Sequence, residues 1–539
     1  MHSRHRVLLL VVPLAVAIVL RLYPYFYTGV PWGTDEWPLI RNANELLSNS
    51  ITTMLANPPV FDSTDIYWPG VSLFGAVSSV TLGSTPLEVM PVIIPLVSSF
   101  STLFFFLIVE KLAKSSIAAC IASLFFASAG FDAIFTASAT KETFAYPLFL
   151  LAIYLMLDKA DARNLTVFTL VSIALILSHH ATVVILLSIA AAYAISNAAL
   201  SLAGYRKLGK SWIYPLLVAF IFGAYIELYA TVFLSATGLG FVISTGAILS
   251  LAAFYFVPLL AAVYFSLTKS LRSMLGVGLF QVALGLVLLY LSTKSSIIPF
   301  APTLSVLIAL LTVPYLAVGF LAVFGYKALH DSDRFAFMPA SAWLAAVVGL
   351  LGYVLIGDPN GIVLVYRFFT FAYVPIALFA AIALGSLVSR SKNIWRISLL
   401  AIIVVGIVLG SGLMSYSSVV VKENVLAGHY AYSNSDFTSA QFLNRVLPSN
   451  SQIGADDQIQ YLYQGYYSIV VNPQLGYGYV EKNETVSTNS TQFLVTYSLM
   501  WSEGYDIFLY GLPVSGNYLG FLENSSSLVF NNGNDMVWK

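Results

Sequence analysis

Apolar stretches of about twenty residues recur along most of this sequence, and they constrain its fold more than any other feature. A helix of that length rises 1.5 Å per residue and crosses about 30 Å of hydrocarbon. Only 9% of the 539 residues are charged and 58% are hydrophobic, so the chain cannot cover its surface in water. The sequence therefore predicts a protein that is solvated by a lipid bilayer.

We predict a polytopic α-helical membrane protein with about thirteen transmembrane helices. The predicted spans are Val7 to Tyr27, Pro91 to Val109, Ser116 to Phe131, Phe144 to Leu157, Leu165 to Leu177, Val183 to Leu202, Trp212 to Leu234, Phe241 to Leu267, Met274 to Leu291, Thr303 to Tyr326, Met338 to Ile356, Phe368 to Leu387 and Ile397 to Val420. The fourth and fifth are short for a full crossing, so they could be tilted, extended into flanking residues or partly re-entrant.

Basic residues in the loops predict the orientation, because cytoplasmic loops are enriched in Lys and Arg. If the N-terminus with Arg4 and Arg6 is cytoplasmic, every second loop is basic, from Lys111 and Lys114 onward. The predicted location is a cell membrane, with the C-terminal domain extracytoplasmic. The formal net charge of +0 disfavours nucleic acid as a partner, since phosphate binding needs a basic surface.

The domain prediction divides the chain into a transmembrane part, residues 1–421, and a polar part, residues 422–539. Within the first part, residues 28–90 form a long outer loop with interfacial helices. The polar part is predicted to be a small extracytoplasmic α/β domain. Its predicted elements are helices over Asp436 to Leu447 and Asp457 to Tyr463, and strands over Gln452 to Ala455 and Ser468 to Val471.

The first outer loop opens with polar residues that could carry chemistry. Thr34 is predicted to cap a helix whose apolar stripe contains Trp37 and Ile40, which suits a helix lying in the membrane interface. Asp35 and Glu36 then lie at the helix start, just above the bilayer. Such a pair could bind a divalent metal, could take a proton from an attacking hydroxyl, or could only cap the helix.

Three further polar groups are predicted at the same height on the same side of the membrane. Lys141 and Glu142 open the fourth span, where they could also be a simple ion pair. The adjacent His179 and His180 end the fifth span, and one of two adjacent histidines can ligate a metal. Tyr366 and Arg367 open the twelfth span, and the planar guanidinium there could bind a lipid phosphate or reach the headgroups.

Together these features resemble the GT-C superfamily of membrane glycosyltransferases. The resemblance rests on the acidic pair after the first span, the second acidic turn, the late arginine and the outer domain. The segment Tyr67, Trp68, Pro69 and Gly70 also resembles the second half of that family's first loop. The resemblance implies an enzyme that transfers a sugar from a polyprenyl (dolichyl) phosphate carrier, with inversion, outside the cytoplasm.

The resemblance also implies roles for individual residues. Asp35 and Glu36 are the expected catalytic acids, with Asp35 as the general base. The expected ligands of the donor and its phosphate are Arg367, Lys141, Tyr366 and Trp68. The expected ligands of an optional divalent cation, Mg²⁺ or Mn²⁺, are Asp35, Glu142, His179 and His180. The expected partners are the lipid-linked sugar donor, membrane lipids and a glycan, lipid or protein acceptor.

The outline is most similar to the catalytic subunit of oligosaccharyltransferase, from which the chain departs in two places. The paired acids of its second loop are replaced by Lys141, Glu142 and Thr143. Its Trp-Trp-Asp-Tyr-Gly sequon motif is missing here, because Ala455 to Ile459 stand at about that position with other residues. A monophosphate donor is therefore expected, and transfer to Asn in sequons is the alternative. The sequence also leaves open a lipid or solute transporter and a non-catalytic scaffold.

Overall fold

The structure is a computed structural model of the chain, and it describes residues 3–57, 59, 61–205, 209–237, 245–268, 274–295, 303–357, 365–390, 393–421, 432–448, 451–482, 492–507, 510–512 and 514–539. The predicted domain boundary at residues 421 and 422 adjoins a range outside these residues, so it stays a prediction.

Most of the described residues are helical. The first half of the chain contains α1 Ser3–Thr28, α2 Glu36–Ser48, α3 Ile51–Ala56, α4 Gly70–Leu82, α5 Pro86–Ser99, α6 Ser101–Ala113, α7 Ser116–Ser128, α8 Gly130–Phe135, α9 Lys141–Met156, α10 Ala162–Ser178, α11 His180–Leu202 and α12 Ile213–Thr237. The second half contains α13 Thr245–Leu267, α14 Leu275–Ser292, α15 Val306–Ser332, α16 Arg334–Gly352, α17 Val365–Arg390, α18 Ile394–Tyr416, α19 Asn434–Val446, α20 Asp457–Tyr463, α21 Pro473–Lys482, α22 Ser498–Glu503 and α23 Tyr518–Ser525.

The helices confirm a polytopic membrane fold. Nine helical stretches among the described residues are long and apolar enough to cross a bilayer. The other four predicted spans coincide with α7, α9, α10 and α12. The second predicted span begins five residues earlier than expected, at Pro86, and consists of α5 and α6 on either side of Phe100.

The two ends of this helix bundle carry different charged groups, and we name them by one residue each. The Asp35 face holds Asp35, Lys141 and Arg367, and the Arg6 face holds Arg6 and Lys111. Ion pairs on the Arg6 face join loops that the basic residues of the sequence assign to the same side of the membrane. The structure therefore agrees with the assignment of these loops to one side. These pairs are Arg6 with Glu110, Lys111 with Asp158, and Lys114 with Asp333.

The first loop folds against the protein and not against lipid, which corrects the prediction for α2. Trp37 and Ile40 are fully buried, and the Trp37 ring lies 5.3 Å from that of Tyr432 in the C-terminal domain. The Ser72 hydroxyl of α4 donates to the Leu39 carbonyl over 3.1 Å. The predicted Thr34 cap is also wrong, because the residue before α2 is Asp35, whose side chain makes no capping hydrogen bond.

The C-terminal region has a small α/β fold, as predicted. Its strands are β1 Gln452–Gly454, β2 Gln492–Tyr497, β3 Tyr505–Ile507, β4 Tyr510–Leu512, β5 Leu528–Asn531 and β6 Asp535–Trp538. One sheet has the order β1-β2-β6-β5, in which β1 and β2 are parallel and the other neighbours are antiparallel. The other sheet is the antiparallel pair β3 and β4.

The helices predicted over Asp436 to Leu447 and Asp457 to Tyr463 are confirmed as α19 and α20. The strand predicted over Ser468 to Val471 is wrong. Only Val471 forms a bridge, to Ile453. The backbone of Ser468 adopts a left-handed conformation with φ 60°, and α21 begins two residues after Val471, so the segment is too short and too bent for a strand.

Candidate functional site

Three elements bring Asp35, Glu142 and Arg367 together at the Asp35 face. Arg367, in the first turn of α17, places Nη2 3.1 Å from Oδ2 of Asp35, the residue that precedes α2. Its Nε lies 3.9 Å from Oε2 of Glu142, in the first turn of α9. The Tyr146 hydroxyl holds α9 against α17 by donating to the Thr370 carbonyl over 3.1 Å. One guanidinium therefore faces two carboxylates.

The two carboxylates differ in their access to solvent. The side chain of Asp35 is 35% exposed and that of Arg367 is 27% exposed, whereas Glu142 is 4% exposed. Neither carboxylate oxygen of Glu142 has a hydrogen-bond partner among the described residues. Asp35 is therefore the acid in this group that a substrate can reach, and Glu142 is a buried acid packed against Arg367.

Glu36 connects two loops. Its Oε1 accepts from the Gly33 amide over 2.5 Å, and its Oε2 accepts from the Ala139 amide, between α8 and α9, over 2.8 Å. Burial raises the pKa of Glu36 to about 8, although these backbone hydrogen bonds oppose the shift. A side chain at Gly33 would collide with Ser138. This geometry favours a positioning role for Glu36. Because its side chain is fully buried, a substrate cannot reach it, and its predicted catalytic role has no support from the geometry.

Lys141 belongs to a second polar group, formed with the 3₁₀ turn Ser63–Tyr67 of the first loop. Its ammonium pairs with Asp65, which is 2% exposed. Burial, and then the charge of Asp65, raise the pKa of the neighbouring Asp62 to about 7. The cation predicted to bind a lipid phosphate is thus shared with two acids.

The histidines and Trp68 form a third, mostly aromatic group. The Trp68 ring lies 4.8 Å from the ring of His180 and 5.5 Å from that of Tyr225. His179 is buried, and its Nδ1 lies 2.7 Å from the Thr182 hydroxyl. The contacts of both histidines therefore account for their positions without a bound metal. The Tyr366 side chain lies outside the described part of the structure, so its role stays a prediction.

A buried ion pair lies deeper, between α1 and α8. Arg21 Nη2 contacts Asp132 Oδ2 over 2.6 Å, and both residues are almost fully buried. The guanidinium also lies 5.8 Å from the Phe126 ring. The acidic turn that precedes α9 is therefore fixed to the first span by a charge pair within the bundle.

The four residues predicted to bind a divalent cation are not arranged as a metal site. Within the described ranges, no group of three or more His, Cys, Asp and Glu side chains is placed to hold a metal ion. Asp35 and Glu142 share Arg367 as their cation, while His179 is directed to Thr182 and His180 to Trp68. The metal dependence stays a prediction, and no chemical step below uses a metal.

Sequence reasoning missed three residues near this site. Asp62 and Asp65 lie in the second half of the first loop, three residues apart, and that spacing was the available signal. Tyr461 reaches the first loop from α20 of the C-terminal region, where its ring contacts that of Phe61. No pattern in the sequence connects it to Asp35, because the contact depends on how that region packs against the first loop.

Comparisons with known proteins bear on the fold. No protein-family model matches the sequence, and no curated protein matches it either. The structure is similar to the oligosaccharyltransferase of Archaeoglobus fulgidus in its apo form, with a TM-score of 0.54 and 15% identity, over 93% of this chain and 70% of that one. It also aligns with ArnT of Cupriavidus metallidurans bound to undecaprenyl phosphate, with a TM-score of 0.42 and 12% identity, over 100% of this chain and 98% of that one.

At these identities the comparisons inform on fold alone. The oligosaccharyltransferase match covers both the helix bundle and the C-terminal region, which are the two parts that the sequence predicts. The chain is a multi-pass membrane protein whose fold is similar to that of this archaeal oligosaccharyltransferase.

Proposed function

We propose that this protein is a glycosyltransferase that moves a sugar from a polyprenyl-phosphate carrier to an acceptor hydroxyl at the Asp35 face. The observation that carries the proposal is the group of Asp35, Arg367 and Glu142 at the N-terminal ends of α9 and α17. An accessible carboxylate beside a guanidinium offers a proton acceptor and an anion ligand within one site. We place this face outside the cytoplasm, as the loop charges predict.

In the proposed reaction the acceptor hydroxyl attacks the anomeric carbon while Asp35 takes its proton. The bond between that carbon and the phosphate oxygen breaks, and the lipid phosphate leaves with the electron pair. Arg367, which is 27% exposed, binds the phosphate and balances the charge that develops on it. Attack opposite the leaving group inverts the anomeric configuration.

Glu142 supports this chemistry from beneath. A buried carboxylate held 3.9 Å from the guanidinium fixes Arg367 at the head of α17 when Asp35 turns to the acceptor. Lys141 is already paired with the buried Asp65, so its charge is not free for the donor phosphate. Arg367 is therefore the proposed ligand of the donor phosphate.

The C-terminal region supports an acceptor other than a peptide sequon. At the position of the oligosaccharyltransferase motif, Asp456 and Gln458 are 1% and 2% exposed. Asp456 Oδ1 accepts from the Ile459 amide over 3.1 Å, and the Tyr497 hydroxyl donates to its other oxygen. Side chains used in this way hold the region's own core, so they are poorly placed to read an acceptor peptide.

The proposal is tested by sugar transfer in membranes that contain the protein. A panel of radiolabelled polyprenyl-phosphate and polyprenyl-pyrophosphate sugars is supplied, and label is followed into acceptor fractions. We expect transfer from at least one donor, and none in membranes from cells without the protein. No transfer from any monophosphate or pyrophosphate donor by well-folded protein would contradict the proposal and favour a transporter.

A further inference from the structure

Two carboxylates in the first loop remain outside the chemistry proposed above. Asp65 is 2% exposed, and the side chain of Asp62 lies within hydrogen-bonding reach of it. Asp62 lies three residues earlier with a left-handed backbone conformation, φ 53° and ψ 46°. Aspartate adopts that conformation more readily than most residues other than glycine, and it marks a sharp turn in the loop here. Lys141 is the cation that pairs with Asp65.

Tyr461 of α20 approaches the same loop from the C-terminal region. Its ring meets the Phe61 ring edge-on, with the centroids 5.1 Å apart at 90°. Arg41 of α2 fixes the two sides, since it donates to the Phe61 carbonyl over 3.1 Å and to the Gln464 carbonyl over 3.4 Å. The aromatic pair is therefore held rigidly beside the loop acids.

The phenol of Tyr461 senses the charges of the acids in the candidate site. The charge of Asp35, then burial, and then the charge of Asp62 raise the pKa of the Tyr461 phenol well above its usual value. This hydroxyl makes no hydrogen bond with a described residue, whereas that of the nearby Tyr432 donates to the Gln458 carbonyl. Tyr461 thus brings a phenol from the C-terminal region to Phe61, the residue that precedes Asp62.

The chemistry of this group selects one class of ligand. Two carboxylates beside one ammonium repel an anion, and the ammonium repels a metal cation. Carboxylates accept hydrogen bonds from hydroxyls, and an ammonium and a phenol donate to hydroxyl oxygens. An aromatic ring packs against apolar C–H groups. A neutral molecule with several hydroxyls and apolar C–H faces, such as a pyranose, satisfies all of these groups.

We propose that Phe61, Asp62, Asp65, Lys141 and Tyr461 form a saccharide-binding subsite that the C-terminal region completes beside Asp35. The inference rests on the proposed function, because the bound saccharide is then a substrate of the transfer. The sugar of the lipid donor and a glycan acceptor have the same chemistry, and the experiment distinguishes them.

The test compares Tyr461→Phe and Asp62→Asn with the wild-type protein. Tyr467→Phe is the matched control, because it removes a phenol hydroxyl just after α20 whose ring lies against Phe437. Transfer is measured with the donor varied at saturating acceptor, and with the acceptor varied at saturating donor. Loss of one hydrogen bond to the saccharide raises KM for one substrate about tenfold with little change in kcat.

A raised KM for the donor identifies the transferred sugar as the ligand, and a raised KM for the acceptor identifies a glycan acceptor. If both KM values stay within about twofold of wild type in both variants, the subsite does not exist. Thermal unfolding of each variant separates this effect from misfolding.

A binding measurement separates this inference from the proposed function. Saturation-transfer NMR with a panel of methyl glycosides is recorded on wild-type protein and Tyr461→Phe in nanodiscs. Glycoside signals that disappear only in Tyr461→Phe support the subsite even if no transfer is found. If transfer is lost on substitution of Asp35 but unchanged in Tyr461→Phe, the proposed subsite is overturned while the proposed function stands. Absence of both binding and transfer overturns both proposals.

Discussion

The Arg6 face and the Asp35 face use charged residues in different ways. On the Arg6 face Arg6, Lys111 and Lys114 each pair with one carboxylate, and at least one member of each pair is well exposed; Arg6, for example, is 56% exposed. On the Asp35 face Arg367 faces two carboxylates, and Glu142 is almost fully buried without a hydrogen bond to a described residue.

The difference shows where the protein retains charges that do not benefit its stability. An exposed pair costs little to form and contributes little, about 0–1 kcal/mol. A buried carboxylate with an incomplete set of partners is costly, and such groups cluster at functional sites. The imbalance at the Asp35 face is therefore the physical reason for placing the chemistry there.

Replacing Arg367 should produce the largest difference between the two faces. Arg367→Gln removes the phosphate ligand and leaves Glu142 buried without its cation, so transfer should fall by roughly 10² to 10³. Arg6→Gln on the opposite face is the control and should leave transfer unchanged. Initial rates with a saturating donor measure both. Equal effects of the two substitutions would remove the distinction between the faces.

Glu36→Gln should lower stability more than activity per folded molecule. Its amide nitrogen cannot accept from a backbone amide, so the bond from Gly33 or Ala139 is lost, at about 1–3 kcal/mol for a buried donor left unpaired. Thermal unfolding in nanodiscs measures the loss. A Tm equal to that of the wild-type protein would contradict the positioning role.

This loss should also depend on pH. The folded-state pKa of Glu36, about 8, lies above the ordinary value of 4.5, so the protonated carboxyl favours the folded state. That contribution is complete below about pH 4.5 and disappears as the pH rises through about 8. Glutamine does not titrate, so the difference between wild type and variant should narrow from about pH 5 to about pH 9. A constant difference would show that Glu36 is ionised throughout.

The smallest effect is expected on the Arg6 face. Lys111→Gln breaks a 2.8 Å pair with Asp158, whose side chain is 50% exposed, and solvent screening should limit the cost to less than about 1 kcal/mol. Thermal unfolding under the same conditions measures it. A loss larger than that of Glu36→Gln would reverse the comparison of the two faces.

The sequence predicted the membrane helices well, because the length of each apolar stretch reports directly on the bilayer thickness. It also identified Asp35, Glu142 and Arg367 separately, as charges at the ends of spans. It could not pair them, since the contact between Arg367 and Asp35 joins residues 332 positions apart. Contacts between residues so far apart in sequence depend on how the helices pack, which local sequence patterns do not specify.

Errors in the prediction arose where one element meets another. The apolar stripe of α2 predicts a lipid-facing surface, yet Trp37 packs against the C-terminal region. The prediction fails because an apolar stripe does not specify whether lipid or protein covers it. In the same way, the contribution of Tyr461 comes from the packing of α20 on the first loop and has no local signal.

The most direct test of the account is sugar transfer by Asp35→Asn, with Glu45→Gln as the control. Glu45 lies on α2, which begins directly after Asp35, and its side chain is 36% exposed and only 3.7 Å from Arg41, so its change should not affect the rate. Transfer by Asp35→Asn should fall by about 10² to 10⁴ with unaltered Tm, because a positioned base contributes that much. Transfer at the wild-type rate in Asp35→Asn would contradict the assignment of Asp35 as the base and with it the proposed mechanism.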